Sequence, residues 1–349
     1  MQVSIVIRAF NEAERIERLL IGIEAQTVAP QEVIVVDSGS TDATVSIARA
    51  YGARVIGIDR SEFTFGRALN LGCAAASGDV CVFASGHVHP VRHDWIAELV
   101  APFEDRRVAL SYGRQRGDRT NRFSEHQLFA QWFPPESVCP QPTYFCNNAN
   151  SAIRRSAWES LRYDETLPGL EDLAWAKAVS ARGGWIAYVA EAEVVHHHDE
   201  RWAQVRNRYR REAMAMRSID EHSRFTRGDF VRLLGRNVVS DLRAARRQGV
   251  LRDQLGSILM FRYNQLAGTY RGFNGPPEVS AQLRARFYYP SRNGRSGHRA
   301  EVENAIDYPA LESKPRRARQ AKAPHSGRRG GASGARRVAA RGRADRAKG

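Results

Sequence analysis

The sequence predicts an α/β fold with a doubly wound parallel sheet, and three observations support this prediction. Val33–Val36 is a run of four β-branched residues, which is typical of a strand buried on both faces. A helical pattern over Ala43–Tyr51 follows after a short polar turn. Strands and helices then alternate as far as Tyr112, as expected for consecutive βαβ units.

The other elements of this body are predicted from their own apolar patterns. The first strand, Val3–Arg8, precedes a helix for which Asn11 and Glu14 form a capping-box pattern. The remaining predicted strands are Arg54–Ile58, Val80–Ala84, Val108–Tyr112, Trp185–Val189 and Ala192–His196. The remaining predicted helices are Phe65–Ala76, Trp95–Phe103, Phe123–Phe133 and Glu171–Arg182, and residues 114–122 are predicted to be a loop.

The C-terminal part predicts a helical extension followed by a basic tail. Residues 203–272 are basic and helical in pattern, with one apolar stripe made of Phe230, Leu233, Leu234, Val238 and Leu242. This stripe could dock on the α/β body or lie on a membrane surface, and docking is the preferred interpretation. The expected units are a body at 1–222, a helical extension at 223–290, and a linker with a disordered basic tail at 291–349.

Most of the net charge of +15 lies in the tail. Residues 313–349 hold thirteen Lys or Arg and one acidic residue, a balance of +12, so the preceding 312 residues carry only +3. The tail has too few large apolar side chains to fold by itself. It could attach the chain to anionic lipid or polyanions, or be a solvated extension. The near-neutral body argues against specific nucleic-acid binding.

Several classes of site are disfavoured because their motifs are missing. The sequence has no GxGxxG after the first strand, no GxxxxGK[ST] loop and no GxSxG, which argues against dinucleotide, P-loop and α/β-hydrolase sites. The four cysteines have no CxxC spacing, so we expect reduced thiols. With no signal peptide or membrane-spanning run, the expected location is cytoplasmic.

The turn from Asp37 to Asp42 lies where the second predicted strand ends and a helix begins. Ligands of open α/β sheets bind at the carboxyl ends of strands. Ser40 or Thr41 could cap the helix, with Asp42 in its first turn. Taken alone, the turn fits either a ligand with hydroxyl or amide donors or an ordinary connection between strand and helix.

The ordered motifs along residues 1–220 resemble family 2 glycosyltransferases of the GT-A fold. They are Ala9-Phe10-Asn11-Glu12, Val36-Asp37-Ser38-Gly39-Ser40-Thr41-Asp42, Arg67 with Asn70, and Glu171-Asp172. Each motif alone is weak, and their order is the specific feature. The segment from Phe65 to Pro90 is similar to rhamnosyltransferase-like members. The resemblance implies an inverting enzyme that moves a sugar from a nucleotide-activated donor to a hydroxyl.

The resemblance also implies which residues would bind the donor. Asp37 would accept a hydrogen bond from the base or ribose, since a fixed carboxylate suits a single N–H donor. Arg67 would approach the diphosphate, or it could be an ordinary surface arginine. Glu12 would line the nucleoside pocket, or it could be a first-turn helix acid. The expected donor-binding residues are Ala9, Asn11, Glu12, Asp37, Gly39, Arg67, Asn70, Ser85, Gly86 and His87.

The sequence departs from the family pattern at Ser85-Gly86-His87, where members usually have the metal-binding Asp-x-Asp. Neutral imidazole can bind Mn²⁺ but matches Mg²⁺ poorly, since Mg²⁺ prefers oxygen. Three explanations stay open: His87 is a metal ligand, the enzyme is metal-independent, or the protein is inactive. His196 and His198 alternate along an extended segment and could face one site. We therefore expect His87, with His196 or His198, to hold a divalent cation, Mn²⁺ rather than Mg²⁺.

Glu171-Asp172 matches the acidic pair of the family, in which the Asp acts as general base on the acceptor hydroxyl. The ionised form of Asp172 would be favoured at a helix N-terminus. Glu171 would shape the pocket or hold an acceptor hydroxyl. The alternative is that both are simply first-turn helix acids.

The leading prediction is a glycosyltransferase that uses a UDP- or dTDP-sugar, with dTDP-rhamnose as one candidate, and a glycan or lipid-linked acceptor. Peripheral contact with the inner face of a membrane is compatible with this prediction. Two alternatives come from other classes. One is a nucleotide-sugar-binding protein without transfer activity, and the less favoured one binds nucleic acid through the basic tail.

Overall fold

The computed structural model describes residues 1–276, 288 and 305–313. The strands are β1 (Val3–Ala9), β2 (Glu32–Asp37), β3 (Arg54–Gly57), β4 (Val80–Ser85), β5 (Val88–Pro90), β6 (Val108–Arg116), β7 (Asn150–Arg154) and β8 (Trp185–His196). The helices are α1 (Ile16–Glu24), α2 (Thr44–Ala50), α3 (Phe65–Ala75), α4 (Trp95–Val100), α5 (Phe123–Trp132), α6 (Arg155–Ser160), α7 (Glu171–Ala181), α8 (Trp202–Ile219), α9 (Arg227–Arg247), α10 (Leu251–Asn274) and α11 (Tyr308–Glu312).

The eight strands of the described ranges belong to one sheet, in the order β3-β2-β1-β4-β7-β6-β8-β5. The predicted α/β class is confirmed, but the sheet is mixed. Strands β3, β2, β1 and β4 are parallel, whereas β7 is antiparallel to both of its neighbours and β5 is antiparallel to β8. Only Gly86 and His87 separate β4 from β5. This connection is too short for the two strands to pair in parallel, since a parallel pair needs a crossover of a dozen or more residues. Strand β5 instead pairs with β8 at the far edge of the sheet.

The two faces of the sheet are buried by alternate residues of the central strands. In β1, Ile5 and Ile7 belong to one apolar cluster, which also contains Trp95 of α4. Val6, between them, belongs to the other cluster, together with Trp175 of α7. Successive side chains of a strand point to opposite faces. Burial on both sides therefore explains why the central strands are almost continuously apolar.

Strand β8 replaces two predicted strands. The break predicted between Val189 and Ala192 is wrong, because the chain continues in one strand from Trp185 to His196 with Glu191 facing solvent. Strand β6 likewise extends to Arg116, three residues into the predicted loop. An exposed polar residue within a strand fits the two-residue period of side chains and need not end the strand.

The predicted helix caps are wrong at two positions. Asn11 has a left-handed conformation with φ 52° and does not cap α1, which begins at Ile16 after Arg15. At α2 the residue before the helix is Ala43, so neither Ser40 nor Thr41 serves as the cap. These polar side chains bind neighbouring loops instead, which is a competing use that local sequence patterns do not resolve.

The helical extension packs on α8, the last helix of the body, and on itself. Phe230, the first residue of the apolar stripe of α9, faces α10, where its ring lies 6.4 and 6.3 Å from those of Tyr263 and Tyr270. A buried bidentate ion pair joins Arg262 of α10 to Asp241 of α9, with N–O distances of 2.7 and 2.8 Å. Phe230 therefore packs on α10, and docking of the rest of the stripe stays a prediction.

Part of the predicted linker is ordered. Residues 305–313 dock beside α1, with Ile306 and Tyr308 buried against Ile21. The Ile306 N–H donates to the Val91 carbonyl at 2.9 Å, and the Tyr308 hydroxyl donates to the Pro90 carbonyl at 2.8 Å. The basic residues from 314 onward lie outside the described residues, so the disorder predicted for them stays a prediction. No helix in the described ranges has the length and apolarity needed to cross a membrane.

Candidate functional site

The carboxyl ends of three adjacent parallel strands form the centre of the candidate site. In register, Ala9 at the end of β1 faces Asp37 of β2, and Arg8 faces Ser85 of β4. The strand ends are thus brought together by the ladder itself. This is the edge at which open α/β sheets bind their ligands.

Asp37 presents one carboxylate oxygen that no group in the described part of the chain satisfies. Its Oδ2 atom accepts hydrogen bonds from the N–H groups of Gly39 at 3.0 Å and Ser40 at 2.9 Å. Gly39 has φ +85°, a conformation that favours glycine and closes this turn. The Oδ1 atom is buried and has no hydrogen-bond partner among the described residues. A buried acceptor in this state suits a ligand N–H or O–H.

The loop after β1 is tied to the loop after β2. The Ala9 carbonyl accepts from the Ser38 N–H at 3.1 Å. The Asn11 N–H donates to Ser40 Oγ at 2.8 Å, and Asn11 Oδ1 accepts from the Thr41 N–H at 2.8 Å. Asn11 therefore holds two loops of the predicted nucleoside pocket in place, which accounts for its left-handed backbone.

A residue that the sequence did not single out also contacts this pocket. The guanidinium of Arg60 lies 5.0 Å from the centre of the Phe10 ring and donates to the Gly39 carbonyl at 2.6 Å. Arg60 follows β3 in a region with no motif, so only the fold places it beside the turn after Asp37.

Three histidines from two distant parts of the chain meet at the next position along the edge. Strand β5 pairs with the end of β8 so that Val88 faces His196, and the His197 N–H donates to the His87 carbonyl at 3.1 Å. The rings of His87 and His196 stack at 5.0 Å, and those of His196 and His198 are 4.1 Å apart. One ring nitrogen from each of these three lies within 4.8 Å of the others. His197 points the other way and pairs with Asp118 at 2.8 Å, as expected for alternating side chains.

The three rings are held through the same ring nitrogen. Nδ1 of His87 lies 2.8 Å from Glu12 Oε1, Nδ1 of His196 lies 2.7 Å from Gln115 Oε1, and Nδ1 of His198 lies 2.9 Å from Glu125 Oε1. Each partner oxygen is an acceptor, so Nδ1 carries the proton and Nε2 is the atom that would coordinate a cation. Metal-bound histidines commonly have this support.

Two further observations fit a cation at this place. The Nε2 atom of His196 is buried and has no hydrogen-bond partner among the described residues. Burial, followed by the neighbouring rings of His198 and His87, lowers the pKa of His196 well below its usual value, so its imidazole is neutral. The turn between β4 and β5 can lie this close to Glu12 because residue 86 is glycine. A Cβ there would lie only 2.8 Å from Cγ of Glu12.

A second group of potential ligands, Glu125, His198 and Glu200, is occupied by an arginine. Nη2 of Arg208 lies 2.7 Å from Glu125 Oε1 and 2.6 Å from Glu200 Oε2. Burial alone would raise the pKa of Glu125, but His198 and Arg208 outweigh burial and lower the pKa to about 2. Glu125 is therefore an ionised partner of His198 and Arg208 rather than part of a separate cation site.

The acidic pair lies at the start of α7 and is buried. Glu171 Oε1 forms an ion pair with Nη1 of Arg8 at 3.0 Å. Asp172 accepts hydrogen bonds from the N–H groups of Asn148 and Leu173, both at 2.9 Å. Burial, and next the charge of Glu171, raise the pKa of Asp172 to about 7, against these bonds and Arg8, which lower it. Asp172 can therefore exchange a proton near neutral pH.

Contacts connect the acidic pair to the histidines. The Arg8 carbonyl accepts from the Gly86 N–H at 2.9 Å, next to His87, while the Arg8 side chain reaches Glu171. The described structure thus brings together Asp37, Glu12, His87, His196, His198 and the pair Glu171-Asp172. Arg8, Gln115 and Glu125 complete this set, although no motif marks them in the sequence.

One predicted donor-binding residue, Asn70, is used elsewhere, and a second, Arg67, has acidic partners. Asn70 is buried, and its amide makes four hydrogen bonds, donating to Tyr163 O and Glu165 Oε1 and accepting from Trp158 Nε1 and the Tyr163 N–H. Its hydrogen-bonding capacity is therefore filled, so the donor-binding role assigned to Asn70 is replaced by a structural one. Arg67 forms ion pairs with Glu62 at 3.0 Å and Glu165 at 3.7 Å, and its approach to a diphosphate stays a prediction.

Comparisons with known proteins identify the family of the chain. A family model described as glycosyl transferase family 2 matches residues 4–162. The O-antigen chain rhamnosyltransferase RfbN of Salmonella typhimurium is 30% identical over 211 residues, which cover 57% of this chain and 67% of that protein. The O-antigen chain rhamnosyltransferase WbaN of Salmonella anatum is 31% identical over 197 residues, 53% of this chain and 62% of that protein.

A solved structure extends the likeness to the fold. The mannosyltransferase PcManGT of Pyrobaculum calidifontis, in complex with GDP-Man and Mn²⁺, matches with a TM-score of 0.54 and 18% identity, covering 78% of this chain and 86% of that one. At this level of identity the likeness concerns the fold alone.

Proposed function

The chain belongs to glycosyl transferase family 2, and on this premise we propose that it transfers a sugar, with inversion, from a nucleotide-sugar donor to a hydroxyl of a glycan or lipid-linked acceptor. The observation that carries the proposal is the continuous edge from Asp37 through Glu12 and His87 to Arg8 and the acidic pair. Each group on this edge has the chemistry that one step of the transfer needs.

The donor nucleoside would bind at the Asp37 turn. The unsatisfied Oδ1 of Asp37 would accept the ring N–H of a uracil or thymine base. The two Salmonella relatives are rhamnosyltransferases by name, which supports a rhamnosyl donor such as dTDP-rhamnose as the first candidate, ahead of UDP-sugars.

The diphosphate would lie at the three histidines. His87, His196 and His198 would hold a divalent cation through their Nε2 atoms, with Mn²⁺ ahead of Mg²⁺ because every ligand is nitrogen. When bound, such a cation would neutralise the charge of the leaving nucleoside diphosphate. Glu12 and Glu125 keep the rings of His87 and His198 in position for this task.

The acceptor hydroxyl would be activated by Asp172. Its carboxylate takes the hydroxyl proton while the oxygen attacks the anomeric carbon, and the bond from that carbon to the diphosphate oxygen breaks on the opposite face. Glu171, held by Arg8, would border the acceptor and keep one negative charge beside Asp172. That charge raises the pKa of Asp172 and makes it a better proton acceptor.

The helical extension supports contact with a membrane that carries a lipid-linked acceptor. Of the ten exposed large apolar side chains among the described residues, six lie on α9 and α10: Val231, Val239, Leu255, Leu259, Met260 and Tyr263. Leu255, Leu259 and Tyr263 follow one another at four-residue spacing and therefore share one face of α10. Residues 227–274 also carry nine arginines against three acids, which suits an anionic lipid surface.

The alternative, a nucleotide-sugar-binding protein without transfer, is motivated by the replacement of Asp-x-Asp with Ser85-Gly86-His87. The buried Asp172, whose pKa lies near neutrality, favours the enzyme, because donor binding alone has no need of such a group.

Replacing Asp172 with Asn tests the chemistry. We expect Asp172→Asn to lower kcat by about 100- to 10,000-fold, the usual contribution of a general base, with nucleotide affinity unchanged. Transfer from dTDP-rhamnose or a UDP-sugar is followed by nucleoside diphosphate release, and affinity by calorimetry. Asp253→Asn, at an exposed acid on α10, is the matched control. Equal loss of nucleotide binding and turnover would assign Asp172 a structural role.

The pH dependence of the rate should report the same group. Because the pKa of Asp172 is raised to about 7, the carboxyl is protonated below that pH and cannot accept the hydroxyl proton. We expect kcat to rise with pH through about 7 in a pH–rate profile of the wild type. An acid limb near pH 4 would mean that an ordinary, solvated carboxylate limits the rate instead.

Replacing Asp37 with Asn tests donor recognition. The carboxamide oxygen can still accept from Gly39 and Ser40, but its nitrogen would then stand where the unsatisfied Oδ1 faces the base. We expect Asp37→Asn to weaken dTDP or UDP binding by about 10- to 100-fold, the cost of a lost charged hydrogen bond. Calorimetry measures this, with the exposed Asp59→Asn as control. Unchanged affinity would place the base elsewhere.

Vesicle binding tests the α9–α10 surface. The full chain should sediment with vesicles that contain phosphatidylserine, and the double variant Leu255→Ser/Leu259→Ser should bind at least about tenfold more weakly, since two large apolar side chains leave the interface. Val28→Ser, at an exposed apolar residue outside the extension, is the control. If the double variant binds like the wild type, the basic tail rather than this surface holds the chain on lipid.

A further inference from the structure

The three clustered histidines would offer a cation only nitrogen ligands. His87, His196 and His198 supply one ring nitrogen each, within 4.8 Å of one another. The nearby carboxylates lie on the outer side of the rings, where Glu12 and Glu125 accept hydrogen bonds from Nδ1 of His87 and His198. A cation here would therefore meet three imidazole nitrogens before it meets a carboxylate oxygen.

The neighbouring group with oxygen ligands, Glu125 and Glu200, already binds an arginine. Arg208 lies between Glu125 and Glu200, at 2.7 and 2.6 Å, and supplies the positive charge that a cation would otherwise bring. Ser85 stands at the first Asp position of the family motif, so β4 offers no carboxylate either. A hard cation such as Mg²⁺ thus lacks the oxygen ligands that it prefers.

We propose that this site selects borderline transition-metal ions, Co²⁺ and Zn²⁺, over Mn²⁺ and strongly over Mg²⁺. The inference rests on the proposed function, in which the three histidines hold the cation. The stability of nitrogen-ligand complexes rises from Mn²⁺ to Co²⁺ and stays high at Zn²⁺, and imidazole suits these ions better than it suits Mg²⁺. Oxygens of the donor diphosphate would complete the shell.

Gln115 is assigned a positioning role in this selection. It is buried, and its Oε1 atom lies 2.7 Å from Nδ1 of His196, which fixes the Nε2 lone pair of His196 toward the cluster. Gln115→Leu would remove that acceptor, whereas Gln115→Glu would keep an acceptor of similar size. Loss of such an outer partner usually weakens metal binding by about 10- to 100-fold.

The experiment uses metal binding rather than turnover as its readout. The full-length protein is stripped with a chelator and titrated with Co²⁺, whose visible absorption reports nitrogen coordination, and Zn²⁺, Mn²⁺ and Mg²⁺ then compete. We expect one Co²⁺ per chain, displacement by equimolar Zn²⁺, at least about tenfold weaker competition by Mn²⁺, and none by Mg²⁺ in millimolar excess. Comparable affinities for Mg²⁺ and Co²⁺ would overturn the proposal.

Variants connect the signal to the site. His196→Gln and His198→Gln should each abolish the Co²⁺ spectrum, while His222→Gln, at an exposed histidine, should leave it intact. Gln115→Leu should weaken Co²⁺ binding about tenfold and Gln115→Glu should restore it, which separates positioning from misfolding. A spectrum that persists in both histidine variants would place the ion elsewhere and overturn the proposal.

Failure here differs from failure of the proposed function. If the ion ranking is wrong but dTDP still binds through Asp37 and transfer still needs Asp172, the transferase stands and only the ion class falls. If transfer continues at full rate in EDTA and no ion binds the histidines, the metal role falls and a metal-independent transferase remains.

Discussion

The candidate site depends on the antiparallel pairing of β5 with the last residues of β8. This contact sets Val88 opposite His196. It brings His87 beside His196 and His198, which lie more than a hundred residues later in the chain. Because β4 runs directly into β5, the same pairing connects the histidines to the strand ends that hold Asp37 and Arg8. A shift of one residue would turn His196 and His198 away from His87 and present His197 instead.

Buried carboxylates around this edge do different work according to their partners. Glu12 and Glu125 each hold a histidine ring, and Glu125 is kept strongly ionised by His198 and Arg208. Asp172 forms no ion pair among the described residues, and burial, followed by the charge of Glu171, raises its pKa toward neutrality. The Asp-x-Asp motif of the family puts negative charge directly on a cation. In this chain Glu12 and Glu125 contact the histidine rings rather than the proposed cation position. A cation there would therefore meet imidazole nitrogen in place of carboxylate oxygen.

Much of the site was predictable because strand ends and helix starts have local signatures. The apolar run before Asp37 and the alternation of His196 with His198 placed these side chains at an edge and on a common face, as the structure has them. The errors come from polar residues whose partners are distant. Asn11 looked like a helix cap but binds the loop at Ser40 and Thr41, and Asn70 looked like a donor ligand but is saturated by Tyr163, Trp158 and Glu165.

The sequence by itself determined the α/β class, the order of most elements and the family resemblance, because apolar periodicity and short motifs are local properties. Only the tertiary structure decided that the sheet is mixed, that residues 305–313 dock beside α1, and that Gln115, Glu125 and Arg208 surround the histidines. These features depend on pairing and burial between segments far apart in the chain. A glutamine in a strand or an arginine in a helix has no local sign of the partner that it will meet.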